Sequence, residues 1–252
     1  SKKQNHIDWL KAQLPSTVMA TLMENGHYKG AYELNNMANI SVDSILQPWW
    51  LTKSFEIGAD TKQHHFTLNF DGINYKAEVY LNGNLVADTI KMQGAFNTFE
   101  FDVNKLIKDG TNSMAVKLYP PGTGAYSIGF VDWAPTPPDK NMGIWRGIHL
   151  DVSKQVSLNE TFVQSKLNTE DFSEAELTIS TRLVNHQKTD QEVSLVGDIS
   201  GVSFTHIVNL KAGEEKVVAL TPKEVPALKI AKPKLWWPVG YGKPNLYELS
   251  LK

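Results

Sequence analysis

The stretch "AEVYLNGNLVAD", residues 77 to 88, decides the fold class. Val79 and Leu81 alternate with polar neighbours, which places them on one face of a strand. Asn82-Gly83 follows, and apolar residues resume at Leu85. A two-residue hairpin turn needs positive φ at both central positions, and Asn and Gly are the residues that accept it. The segment therefore reads as a β-hairpin. The same period of two recurs on either side of it. Phe66, Leu68 and Phe70 alternate, as do Phe99, Phe101 and Val103, then Met114, Val116 and Leu118, then Ile148, Leu150 and Val152. Many short strands separated by turns predict an antiparallel sandwich. One helix interrupts the pattern. "LPSTVMATLMENGHY" has Ser16 or Thr17 to cap it, Val18 and Leu22 on one face, and Gly26 to end it.

A second group of strands starts near residue 156. "FVQSKL", "AELTISTRLVNHQ", "QEVSLVGDIS" and "FTHIVNLKAGEEKVVALTP" are strands with polar turns, and Gly213 supplies the positive φ of a hairpin. This group suits an immunoglobulin-like sandwich. The expected division is residues 1–155 and 156–252, joined tightly around Ser153 to Ser157. The chain stops within an apolar strand, Tyr247 to Leu251, which is read as a sign of truncation because an uncovered edge invites association.

Composition narrows the class. The 252 residues are 41% hydrophobic and 21% charged, with a formal net charge of −2, which is a globular balance. No basic stripe marks a nucleic-acid partner. No apolar run approaches the ~18 residues that span a membrane. Cysteine is absent, which removes disulfides, thiolate metal sites and a thiol nucleophile. The expected location is periplasmic or secreted, with any signal already removed. The adjacent His64 and His65 point to opposite faces of a strand and cannot chelate together. "GTGAYSIG" lacks the third glycine of a dinucleotide loop, and no Gly-x-Ser-x-Gly elbow occurs. No metal and no cofactor is expected. Asn39 and Asn159 fall in glycosylation sequons, a pattern common by chance.

The aromatics remain. In "DWAPTPPDKNMGIWRGIHL", residues 132 to 150, the prolines forbid helix and remove ladder donors, so the first half is an irregular loop. An indole offers a flat apolar face, and a carboxylate beside it accepts hydroxyl hydrogen bonds. Asp132-Trp133 is thus the pairing that would read a sugar, although core packing stays open for it on the residues alone. Trp145 and Trp236-Trp237 read as packing. Arg146 and Arg182 are the two arginines of the chain, and the planar fork of Arg146 suits a fixed structural partner.

"PWWLTKSFEI", "FDGINYKAEVYLNGNLVA", "DWAPTPPDKNMGIWRGI" and "LWWPVGYGKPNLYELSL", in this order after "LPSTV" and "NNMANI", resemble glycoside hydrolase family 2, in particular its β-mannosidase and exo-β-D-glucosaminidase branch, with β-galactosidases more distant. The resemblance implies an all-β chain: a jelly-roll, galactose-binding-like sandwich followed by an immunoglobulin-like sandwich. In that family a (β/α)8 barrel follows and holds both catalytic glutamates of a retaining mechanism. No strand–helix alternation occurs here, so no catalytic residue is expected in this chain. Asn159-Glu160 mimics the family's acid/base pair, but it lies at the domain join and is rejected. By resemblance, Asp132 binds hydroxyls of a terminal β-linked sugar. Trp133 walls it, and Asn141 with Met142 shapes the same edge. Gly143-Ile144-Trp145-Arg146 fixes the loop to the sheet, and Trp236 and Trp237 are structural. The implied partners are carbohydrate and the downstream barrel of the same parent. The long proline-bearing loop looks like the glucosaminidase group. Leu51-Thr52-Lys53 departs from the usual Tyr-Arg and removes any pairing made by that Arg. Two other functions stay open: a stand-alone carbohydrate-binding module, and a structural surface protein.

Overall fold

The computed structural model describes residues 9–129, 133 and 135–252. The chain divides into two compact units, Ser1–Val152 and Ser153–Lys252. In the first, a short strand β1 (Ser16–Thr17) runs directly into α1 (Val18–Glu24). The Thr17 hydroxyl, rather than Ser16, caps the helix by accepting from the Ala20 amide at 3.2 Å. Gly26, at φ +84°, ends it: its amide bonds Met23 and the next amide bonds Leu22, which satisfies two orphan carbonyls. Val18, Met19 and Leu22 form the buried face.

The strands are β2 (Trp49–Ile57), β3 (His65–Phe70), β4 (Lys76–Leu81), β5 (Asn84–Ala87), β6 (Phe99–Asp102), β7 (Gly110–Tyr119), β8 (Gly143–Ile144) and β9 (Ile148–Ser153). They form a sheet in the order β2-β7-β4-β5 and a second in the order β6-β3-β9, while β8 pairs with β1. The alternating residues of both sheets meet in one core that contains Leu68, Phe70, Val79, Leu81, Val116 and Leu118. The β4–β5 turn has φ of 51° at Asn82 and 80° at Gly83, as the hairpin requires. Residues 31–50 read as loop-like in sequence; they contain two short 310 turns, Asn36–Asn39 and Val42–Ser44, but their last two residues, Trp49 and Trp50, open strand β2.

The second unit has β10 (Val156–Leu167), β11 (Glu174–Asn185), β12 (Gln191–Ile199), β13 (Val202–Leu210), β14 (Glu215–Leu220), β15 (Lys229–Ala231) and β16 (Leu249–Leu251). One sheet runs β10-β11-β14, with β15 also on β11, and the other runs β13-β12-β16. Ile179, Leu183, Leu195, Leu210, Leu220 and Leu228 are buried between them. The strand read from "FVQSKL" extends back to Val156, because a bulge at Asn159/Phe162 absorbs the break in alternation. Glu160 sits in that bulge and pairs with Arg182 at 3.2 Å.

Candidate functional site

The aromatic loop is anchored at its C-terminal end. Asp139 is fully buried. Its Oδ2 accepts from the Met19 amide at 2.7 Å and its Oδ1 from the Asn141 amide at 2.9 Å. One carboxylate thus ties the start of α1 to a turn in which Lys140 and Asn141 take φ of 51° and 56°. From below, the buried Asn74 amide donates to the carbonyls of Lys140 (3.0 Å) and Asn141 (2.8 Å). Asn74 and Gly143 exchange two backbone bonds of 2.8 Å. Gly143 is required there: a Cβ would lie 2.6 Å from Thr17 Cα and against the Ser16 carbonyl oxygen.

Asn141 is held by every backbone group it has. Its side-chain amide donates to the Ile128 carbonyl at 3.3 Å, and its Oδ1 has no partner among the described residues. That oxygen can accept a hydroxyl. Met142 is buried in the core and shapes the loop from inside. Trp133 is 85% exposed. Asp132 lies outside the described residues.

Beside this turn the aromatic rings form a chain of contacts. Trp145 is half-buried and its Nε1 donates to the Ala95 carbonyl at 2.8 Å. The Phe96 ring meets Trp145 edge-on at 6.1 Å and Tyr126 at 5.8 Å. The Arg146 guanidinium stacks over the Trp145 ring at 4.5 Å, a cation–π contact. Gly72 leaves room for the indole, since a Cβ there would be 2.9 Å from it. Asp139, Asn74, Phe96 and Tyr126 were not singled out by sequence reasoning. Asp139-Lys140-Asn141 does carry a legible sign, an aspartate that bonds the amide two residues on. Asn74 carries none.

The remaining candidates lie elsewhere. Trp236 bridges to Pro244, and the Trp237 amide donates to Lys243 at 3.1 Å, so both brace the turn of residues 236–244. Trp236 is 57% and Trp237 40% exposed, and Gly242 leaves room for the Trp237 side chain, since a Cβ there would be 2.7 Å from it. A cavity of about 1150 Å3 opens in the first sandwich beside β2 and β9, lined mainly by apolar side chains such as Leu51, Phe55, Met114 and Leu150. Its lining also includes Ser16, Thr17, Gln47, Thr52, Lys53 and His149. Among the described residues no cluster of His, Asp and Glu could hold a metal ion, and no helix is long and apolar enough to cross a membrane.

Two mainly β units, the first carrying a clamped aromatic loop, define the class: a pair of β-sandwich modules. Residues 1–125 match the model of the glycosyl hydrolase 2 galactose-binding domain-like family, and residues 156–252 that of glycosyl hydrolases family 2. The chain belongs to glycoside hydrolase family 2. It is 32% identical to an exo-β-D-glucosaminidase of Streptomyces avermitilis, over 96% of this chain and 27% of that protein. It is also 32% identical to a mannosylglycoprotein endo-β-mannosidase of Lilium longiflorum, over 96% of this chain and 28% of that protein. The exo-chitosanase of Amycolatopsis orientalis, solved with PNP-β-D-glucosamine, superposes with a TM-score of 0.85 at 30% identity, over 96% of this chain and 30% of that one. The chain thus spans roughly a quarter of the curated relatives it matches.

Proposed function

We propose that the chain is the non-catalytic N-terminal portion of an exo-acting, retaining β-glycosidase, and that its first unit supplies one wall of the sugar pocket. The carrying observation is likeness along 96% of the chain to an exo-β-D-glucosaminidase, joined to a loop whose turn is fixed by Asp139 and Asn74. The catalytic carboxylates belong to a barrel elsewhere in the parent polypeptide. In this reading the Asp132 carboxylate accepts hydrogen bonds from hydroxyls of the non-reducing terminal sugar. Trp133 covers an apolar face of the ring, and Asn141 Oδ1 accepts a further hydroxyl. Trp145 and Arg146 hold the loop rather than the substrate. The substrate class is a terminal β-linked sugar, with glucosamine first among the candidates.

The test measures nitrophenol release from a panel of aryl β-glycosides, on the full-length parent and on residues 1–252 side by side. The parent is expected to be active and the shorter chain silent, and the preferred glycoside names the sugar. Asp132→Ala in the parent is expected to lower kcat/KM by the equivalent of about 1–3 kcal/mol of transition-state stabilisation, the loss of a buried hydroxyl bond. An unchanged kcat/KM removes Asp132 from the site. A silent parent overturns the reading as a whole.

A further inference from the structure

We infer that the rings of Phe96 and Tyr126 form a second sugar position, which holds the residue next to the terminal sugar. The inference rests on the glycosidase reading above. An enzyme that acts at non-reducing ends meets more substrate in only one direction, so this neighbour belongs to the leaving group.

The rings are outward by construction. Phe96 is 55% exposed and Tyr126 67% exposed, yet Phe96 stands on a pinned loop. Just before it, the Gly94 amide donates to the Tyr75 carbonyl at 2.9 Å, and the Ala95 carbonyl accepts from Trp145. Just after it, the Asn97 side-chain amide donates to the Gln93 carbonyl at 3.1 Å. Ala95 itself is buried. The backbone leading into Phe96 is fixed while its ring faces water, which costs apolar free energy unless something covers it. Behind the pair, Trp145 and Gly72 set the ring positions.

The place of the pair selects the occupant. The Tyr126 segment is tied to Asn141 through the Ile128 carbonyl, so the platform and a proposed hydroxyl contact share one loop. Tilted rings 5.8 Å apart offer apolar faces. A pyranose presents the complement: C–H faces with hydroxyls around them.

The experiment uses the full-length parent and two substrates of its preferred sugar, the methyl β-glycoside and the β-linked disaccharide. A methyl leaving group does not reach the platform, whereas a second sugar does. Phe96→Ala and Tyr126→Ala are each expected to lower kcat/KM for the disaccharide about fivefold or more and to leave the methyl glycoside unchanged. Tyr126→Phe, which keeps the ring, is expected to retain most of the disaccharide rate. Where Phe96→Ala does not fold, Phe96→Leu removes the aromatic face and keeps bulk. Equal losses on both substrates overturn the inference, because the rings then pack against the rest of the parent. No loss on either substrate overturns it as well. A parent inactive on both fails at the glycosidase reading instead, and the inference falls with it.

Discussion

Asp139→Ala tests whether one buried carboxylate holds the candidate site together. The side chain is fully buried, and both oxygens accept from backbone amides, Met19 at 2.7 Å and Asn141 at 2.9 Å. Truncation removes two charge-assisted bonds, each contributing about 1.5–3 kcal/mol. It also leaves the buried Met19 N–H without an acceptor. Against this, burying the carboxylate is itself costly, and that cost disappears with it. The net destabilisation is expected to be about 2–4 kcal/mol. For a unit of this size, that lowers Tm by roughly 5–15 °C. Asp139→Asn keeps one acceptor oxygen but turns an N–H2 towards the other amide, so it is expected to lie between wild type and alanine. The assay is thermal unfolding, with amide hydrogen exchange across residues 16–24 and 139–145 to assign the loss to the first unit, because two units need not melt as one. Fast exchange in both segments together is the expected signature. If Tm falls by less than about 2 °C and exchange is unaltered, the carboxylate is not the clamp described here.

Gly143→Ala places a methyl against the backbone of Ser16 and Thr17, where no rotamer can relieve it. It is expected to separate β1 from β8 and to cost about 2 kcal/mol or more, whereas a wild-type Tm would refute the close approach. His65 titrates below its ordinary range, because burial opposes its charge more than Asp102 favours it. The unfolded chain therefore binds the His65 proton more readily, and stability that is present above the ordinary histidine pKa is lost as pH falls through the lowered one. The same proton would compete with the Asn104 amide, which lies 2.7 Å from His65 Nδ1. His65→Gln is expected to flatten this part of the stability profile below neutral pH, and an unchanged profile would show that His65 does not contribute to it.

How much was legible depended on how far along the chain each residue's partner lies. The Asn82-Gly83 turn could be read because positive φ is a local demand, met by residue type. The rest of what Asn82 does could not be read: its side chain bonds the Leu106 carbonyl and Asn112 Oδ1, both at 2.8 Å, and these partners are distant in sequence. The aromatic loop repeats the lesson. Its prolines declare an irregular backbone, and Asp132-Trp133 stands out by type. What fixes the loop is Asp139 with Met19 and Asn74 with Lys140 and Asn141, pairs separated by 66 to 120 positions. Phe96 is a sharper case. It sits just before the alternation of Phe99 and Phe101, so a strand pattern treats it as an edge residue, and only the bonds to the Gly94 amide and the Ala95 carbonyl show that the backbone leading into the exposed ring is held. Residue type therefore finds groups able to touch a ligand, while long-range bonds decide which of them are aimed. In this loop the aim belongs to Asp139, Asn74 and Gly143, which touch no ligand in the proposed reading. Substituting them should disturb sugar binding through the position of Asn141.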